Sequence, residues 1–156
     1  MSENIENKRK RIYPEKMSKD HLSGVAAIEK ACFNAPWSEN SLELLCRDGI
    51  GMGMVCHADG KVCAYGGMLC VVDEGQITNI ATLPEYRRVG YGAAIVEALK
   101  KYAKYNGLHS ITLEVRESNK AAIGLYSAHG FKVTGKRKDF YTKPTESALI
   151  MACEIK

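Results

Sequence analysis

The sequence predicts an α/β protein with one central mixed sheet and helices on its faces, and three observations carry that expectation. Apolar residues alternate at period two in some stretches and step at three to four in others, in the order β-α-α-β-β-β-α-β-α-β-β. Turn chemistry punctuates these stretches, as at Asp59-Gly60, Asn106-Gly107 and Gly130. The 156 residues, 46% hydrophobic and 26% charged, are enough for one core without disulfide or metal staples. Two domains are not expected, and 14 Gly and 4 Pro exclude a disordered or collagen-like chain.

Residues 1–10 read as a flexible basic tail and 11–156 as a single domain. Arg11 to Met17 is expected as an edge strand, because Pro14 lacks a ladder donor. Ser18 offers an N-cap to a helix running to Phe33, with Leu22, Val25, Ala26, Ile28, Glu29 and Cys32 at near-helical spacing. Pro36 interrupts it. Ser38 caps a second helix whose apolar side is Leu42, Leu44, Leu45 and Cys46, ended at Asp48-Gly49. Asp59-Gly60 signals a hairpin between Gly51–Ala58 and Lys61–Val72. Asp73-Glu74-Gly75 is expected to turn the chain into Gln76–Thr82, where the spacing of Ile77 and Ile80 implies a bulge. A long helix follows over Tyr91–Tyr105, then a strand over Ile111–Val115 and a helix from the Asn119 cap to about His129. Phe131–Gly135 and Ala148–Glu154 are the last two strands, joined by a polar loop containing Pro144.

The N-terminus lacks the apolar core of a signal peptide, and the apolar run Val62–Asp73 is too short to span a bilayer, so a cytoplasmic location and no membrane partner are expected. Reducing conditions there argue against disulfides among Cys32, Cys46, Cys56, Cys63, Cys70 and Cys153, which read as small buried hydrophobes. Their spacing matches no zinc site, and no metal is expected. A net charge of +4 with 18 acidic residues interleaved does not argue for direct nucleic-acid binding. The basic residues cluster at Arg87-Arg88 and over Lys132–Lys143, as solvated faces or as a field for an anion. His57, His109 and His129 read as structural.

Two constellations carry possible chemistry. In Arg87-Arg88-Val89-Gly90-Tyr91-Gly92, two glycines at a helix N-terminus can present successive N–H groups to an anion or serve the turn alone. It is neither a Walker loop, lacking Gly-Lys-Ser/Thr, nor a complete dinucleotide fingerprint. In the second, Glu114 lies near the carboxyl end of a strand, where open α/β sheets bind ligands, and Tyr126 follows on the next helix. Read alone, Glu114 could equally be a solvated strand residue and Tyr126 core.

The runs Ile80-Ala-Thr-Leu-Pro-Glu-Tyr-Arg-Arg-Val-Gly-Tyr-Gly-Ala93, Leu113-Glu-Val-Arg-Glu-Ser-Asn-Lys-Ala-Ala-Ile-Gly-Leu-Tyr126 and Gly130-Phe131 resemble the GNAT superfamily of N-acetyltransferases. Ile28-Glu-x-x-Cys-Phe33, Pro36-Trp-Ser38 and Arg137-Lys-Asp-Phe-Tyr141 resemble its RimI branch, which acetylates the N-terminal alanine of ribosomal proteins. The resemblance covers about residues 17–154. It implies the GNAT fold, a mostly antiparallel mixed sheet of about seven strands flanked by about four helices. It implies acetyl-CoA as co-substrate, with Arg87, Arg88, Val89, Gly90, Tyr91, Gly92 and Ala93 at the pyrophosphate, Ile80, Ala81 and Thr82 along the pantetheine arm and acetyl carbonyl, and Asn119 as a further cofactor contact. Glu114 falls on the general base and Tyr126 on the general acid. Phe33, Trp37, Phe140 and Tyr141 are implied as acceptor contacts, with Phe140 where a second Tyr is common and Thr82 in place of the commoner Val.

These roles make chemical sense for a protein N-terminus. An α-amine titrates near 8, so a carboxylate can relieve it of its proton at neutral pH, whereas a lysine at about 10.4 demands more. The expected partner is the N-terminus of a ribosomal protein, and the expected state a monomer or weak homodimer. A related enzyme for a small amine or lysine, and a non-catalytic coenzyme A-binding module, are the rival readings.

Overall fold

A computed structural model describes residues 12–156. The expected basic tail lies outside them. Seven strands form one sheet in the order β1-β2-β3-β4-β5-β7-β6: β1 (Glu15–Lys16), β2 (Gly51–Ala58), β3 (Lys61–Val71), β4 (Glu74–Thr82), β5 (Ser110–Arg116), β6 (Lys132–Tyr141) and β7 (Glu146–Glu154). Only β4 and β5 run parallel among these neighbours. Four α-helices accompany the sheet, α1 (Leu22–Cys32), α2 (Glu39–Leu42), α3 (Tyr91–Tyr105) and α4 (Lys120–Ala128). The α/β architecture expected from the sequence is therefore the one observed.

The two faces of the sheet carry separate cores. On one, Ile95, Val96, Leu99 and Ala103 of α3 pack with Met52, Met68, Ile111 and Met151 from the strands and with Tyr126 of α4. On the other, Val25 and Ile28 of α1 pack with Leu42, Leu45, Val55, Tyr65 and Ala81. Period-two alternation sends Ala64 to the first core and Tyr65 to the second. Each fully buried aliphatic side chain contributes about 1.5–3 kcal/mol.

Several boundaries differ from the sequence expectation. The strand expected over Arg11–Met17 is two residues long, although Met17 N–H still donates to the Gly53 carbonyl (2.7 Å). The second helix is a single α-turn, capped as expected by Ser38 Oγ accepting from Ser41 N–H, and it tightens into a 3-10 turn over Glu43–Cys46. The turn after β3 is Val72-Asp73, not Asp73-Glu74-Gly75, with Val72 at φ +57° and Gly75 already in β4. Gly75 answers a packing demand: a Cβ there would sit 2.6 Å from Met68 Sδ. The polar loop expected before β7 is largely strand, because β6 reaches Tyr141 and only residues 142–145 remain as turn. The strand expected over Phe131–Gly135 is the start of β6; its continuation to Tyr141 is a nearly fully exposed edge without apolar alternation, set by backbone pairing to β7.

Two irregularities create the site. β4 pairs with β5 only from Glu74 to Gln76, opposite Ser110 to Thr112. Immediately beyond, the expected bulge appears: Gly66 pairs Ile80 and Met68 pairs Ile77, so Thr78 and Asn79 face the single residue Gly67. The bulge turns β4 away, and the two parallel strands part toward their carboxyl ends.

Candidate active site

The parted strands form a cleft of about 540 Å³, walled by Ile77–Ile80 of β4 and Leu113–Arg116 of β5. Backbone groups on the β5-facing side of β4 have no ladder partner past Gln76. That leaves polar groups available to a bound chain, which a cleft between splayed parallel strands can hold.

Glu114 and Tyr126 both line this cleft. Glu114 is half-buried on β5, and its Oε1 lies 3.4 Å from Arg137 Nε on β6. Tyr126 is buried on α4, its ring 5.7 Å from that of Phe131. Burial pushes the Tyr126 phenol up to about 12, with the neighbouring Tyr141 adding to the shift. The phenol is therefore protonated throughout the physiological range.

Around the Gly-x-Gly turn, Gly90 is the N-cap of α3 at φ +107°, and Arg88 two residues earlier is also left-handed at φ +67°. A non-glycine residue in that conformation stores about 1–3 kcal/mol of strain, and left-handed residues in a turn are what backbone anion-binding concavities are built from. Gly92 allows close approach of α4, since a Cβ would lie 3.2 Å from Leu125 Cδ2. Arg88 and Val89 are exposed, and Tyr91 stacks edge-on with Tyr86 at 6.5 Å. Val89 and Tyr91 face a second cavity, of about 640 Å³, on the β2 side of the turn. Arg87 is folded back, its Nε donating to the Thr82 carbonyl (3.0 Å) and its guanidinium 3.5 Å from Cys32 Sγ. Ile80 lines the cleft, Ala81 is buried in the α1 core, and Thr82 spends its carbonyl on Arg87 and Cys32. Asn119 also lines the cleft, while its Oδ1 caps α4 by accepting from Ala122 N–H (3.1 Å).

At the other end of the cleft stand Phe33 and Trp37, from the loop between α1 and α2, and Tyr141 at the end of β6. The two loops are joined where Asn34 Nδ2 donates to the Lys143 carbonyl (2.9 Å). Arg116 sits 4.4 Å over the Tyr141 ring and donates to the Thr142 and Pro144 carbonyls, fixing this corner. Phe140 lies outside the cleft: an irregularity between Arg137 and Tyr141, with Asp139 at φ +52°, turns its ring to the surface against Arg137 and Tyr141.

The residue sequence reasoning passed over is Glu29. It is fully buried on α1 and accepts from Trp37 N–H (2.8 Å), the Tyr65 hydroxyl (2.6 Å) and Asn79 Nδ2 (3.1 and 3.2 Å). Its signal was a charged residue on an otherwise apolar helical stripe. Among the described residues, one grouping has metal-ligand character, Glu15 with His21 and His57. However, His21 Nδ1 accepts Ser18 N–H (3.0 Å), which puts the ring proton on the nitrogen facing Glu15. That neutral tautomer suits a hydrogen-bonded cluster better than a ligand set through the same nitrogen. All six cysteines are free thiols; Cys56, Cys63 and Cys153 are buried, and the other three are only half-buried.

The family profile described as the acetyltransferase (GNAT) family matches residues 22–131. The chain belongs to this acetyltransferase family. A Bacillus subtilis relative is 37% identical over 86% of this chain and 90% of its own. The ribosomal protein bS18-alanine N-acetyltransferase of Escherichia coli K12 is 35% identical over 82% of this chain and 87% of its own. The crystal structure of the ribosomal-protein-S18-alanine N-acetyltransferase from Escherichia coli superposes with a TM-score of 0.84 at 32% identity, covering 93% of this chain and 94% of that one. Seven strands and four helices in this acetyltransferase are thus the GNAT fold that the motifs implied.

Proposed function

We propose that this acetyltransferase moves the acetyl group of acetyl-CoA to the N-terminal α-amine of a protein, the N-terminal alanine of a small-subunit ribosomal protein in the cytoplasm. The observation that carries the reading is one cleft between the parted β4 and β5 that brings Glu114 and Tyr126 together with an aromatic mouth at Phe33, Trp37 and Tyr141. The named relatives support the choice of acceptor.

The residues present suit acetyl-CoA. Unpaired β4 backbone groups fit an amide-bearing arm, and the left-handed turn at Arg88–Gly90 ahead of α3 fits a pyrophosphate. When bound, acetyl-CoA supplies an activated thioester. Glu114 takes the ammonium proton of the acceptor, directly or through one water, while Arg137 holds its carboxylate in place. Backbone N–H groups of β4 stabilise negative charge on the acetyl oxygen. Tyr126 offers its proton toward sulfur. An ordinary thiol titrates near 8.5, so complete transfer from a phenol at about 12 is uphill. Tyr126 therefore acts as acid chiefly by donating a hydrogen bond to the developing thiolate, and the second proton that the acceptor nitrogen sheds as the amide forms passes, directly or through water, to that leaving thiolate. No protein nucleophile is required.

Peptides with a free N-terminal Ala are expected to be acetylated, and N-blocked peptides carrying one Lys are not; the reverse preference would overturn the acceptor assignment. Glu114→Gln is expected to lower turnover at least about 10²-fold while acetyl-CoA still binds. Unchanged turnover would remove Glu114 from the role of base.

A further inference from the structure

Glu29 joins two parts of the chain that lie far apart in sequence, α1 with the loop that follows it and the consecutive strands β3 and β4. Its carboxylate rises from α1 and takes one donor from the acceptor loop (Trp37 N–H), one from β3 (Tyr65 Oη) and one from the β4 bulge (Asn79 Nδ2). All three donors are uncharged. A carboxylate buried without a cation is an expensive way to fill space, and an apolar residue there would pack at lower cost. What an apolar residue cannot do is tie Trp37 to Asn79. Both of these line the cleft, one at the mouth and one on the β4 wall. A bulge also leaves its extra residue without ladder bonds, so Asn79 depends on its side chain for anchorage.

We propose that Glu29 is a positioning residue, setting the distance between the loop that receives the acceptor's chain end and the β4 wall along which the acetyl group lies. The proposal rests on the reading of Phe33–Ser38 as acceptor loop. Because Trp37 hangs from Glu29 through its backbone N–H, losing the carboxylate releases the mouth of the cleft. The turn ahead of α3, where the cofactor phosphates are expected to lie, makes no hydrogen bond to Glu29 and is expected to keep its geometry.

The test compares three folded variants with wild type, using an N-terminal Ala peptide and acetyl-CoA as the two substrates. Glu29→Ala is expected to raise the peptide KM about tenfold or more, with the acetyl-CoA KM unchanged within twofold. Tyr65→Phe removes a donor on the sheet side and leaves the Trp37 bond, so it is expected to lower Tm while the peptide KM stays within twofold. Glu29→Asp keeps the charge but withdraws it by one methylene, and gives the same KM split at smaller size if the alanine variant does not fold. Trp37 is the sole tryptophan, so its emission reports the loop directly. Emission is expected to shift in both Glu29 variants and not in Tyr65→Phe. Equal rises in both KM values, an unchanged peptide KM in the folded Glu29 variants, or kinetic losses that simply track Tm across all three would overturn the proposal. Failure of the functional reading looks different: wild type itself would not acetylate the peptide.

Discussion

Glu114 and Glu29 have the same side chain, one residing in the cleft wall and one behind it, and their surroundings divide their work. Glu114 is half-buried beside a single exposed arginine and open to the cleft, so it can exchange a proton. Glu29 has both oxygens occupied by donors and no solvent contact, so it can only hold its neighbours in place. The cysteines divide in the same way. Burial pushes the Cys56 thiol up to about 12, and it raises Cys63 as well. A buried thiol is also out of a reagent's reach, so Cys56, Cys63 and Cys153 are expected to resist a thiol reagent such as DTNB in the native protein, while the half-buried Cys32, Cys46 and Cys70 react first. Counting modified thiols against time by mass spectrometry checks this, and early labelling of Cys56 would contradict the packing around β2. Legibility at this scale was uneven. Glu114 and Tyr126 could be placed by their motif, but Phe140 sits outside the cleft because a bulge that no pattern announced turns it outward.

Elements whose sequence carries its own local signal appeared where expected. Asp59 and Gly60 both take the left-handed conformation their hairpin needs, at φ +53° and +77°, and α3 occupies Tyr91–Tyr105 as read. β6 was legible only at its start, as far as Gly135, because the exposed edge beyond it has no buried face to write an alternation. One contact between elements yields a pH prediction. His129 Nδ1 lies 2.6 Å from Glu97 Oε1, joining the end of α4 to α3, and this hydrogen bond, with Lys100 beside it, holds the Glu97 carboxyl below its ordinary 4.5. A carboxyl held low stabilises the fold above its unfolded-state value, and that stability is lost as pH falls through the folded one. The pair is half-exposed, so its worth is under about 1 kcal/mol. Glu97→Gln should lower Tm by at most about 2–4 °C at pH 7, with the difference closing below pH 4.5. A difference that grows with acidity would reverse the assignment.

For the whole molecule, the decisive feature is a sheet that is continuous at one end and open at the other. β3 is flanked on both sides and covered on both faces, β6 is an exposed edge, and β4 is tied to β5 by three residue pairs only. Native-state amide exchange should therefore be slowest in β3 and fastest in β6. Adding acetyl-CoA should slow exchange in residues 77–82 and 90–93, where backbone groups await a partner. Protection elsewhere, with none in these two segments, would move the cofactor out of the cleft.

The sequence by itself determined what local chemistry and periodicity can encode: the order of strands and helices, the hairpin, the bulge in β4, the caps at Ser38 and Asn119, and the motifs that resemble the family. Only the tertiary structure decided which of these residues meet. Separation in sequence hides the Asn34–Lys143 bond across 109 residues and the Tyr65–Glu29 bond across 36. It equally hides the parting of β4 from β5, because that cleft exists through hydrogen bonds the two strands do not make, and a missing pairing leaves no pattern in the residues themselves.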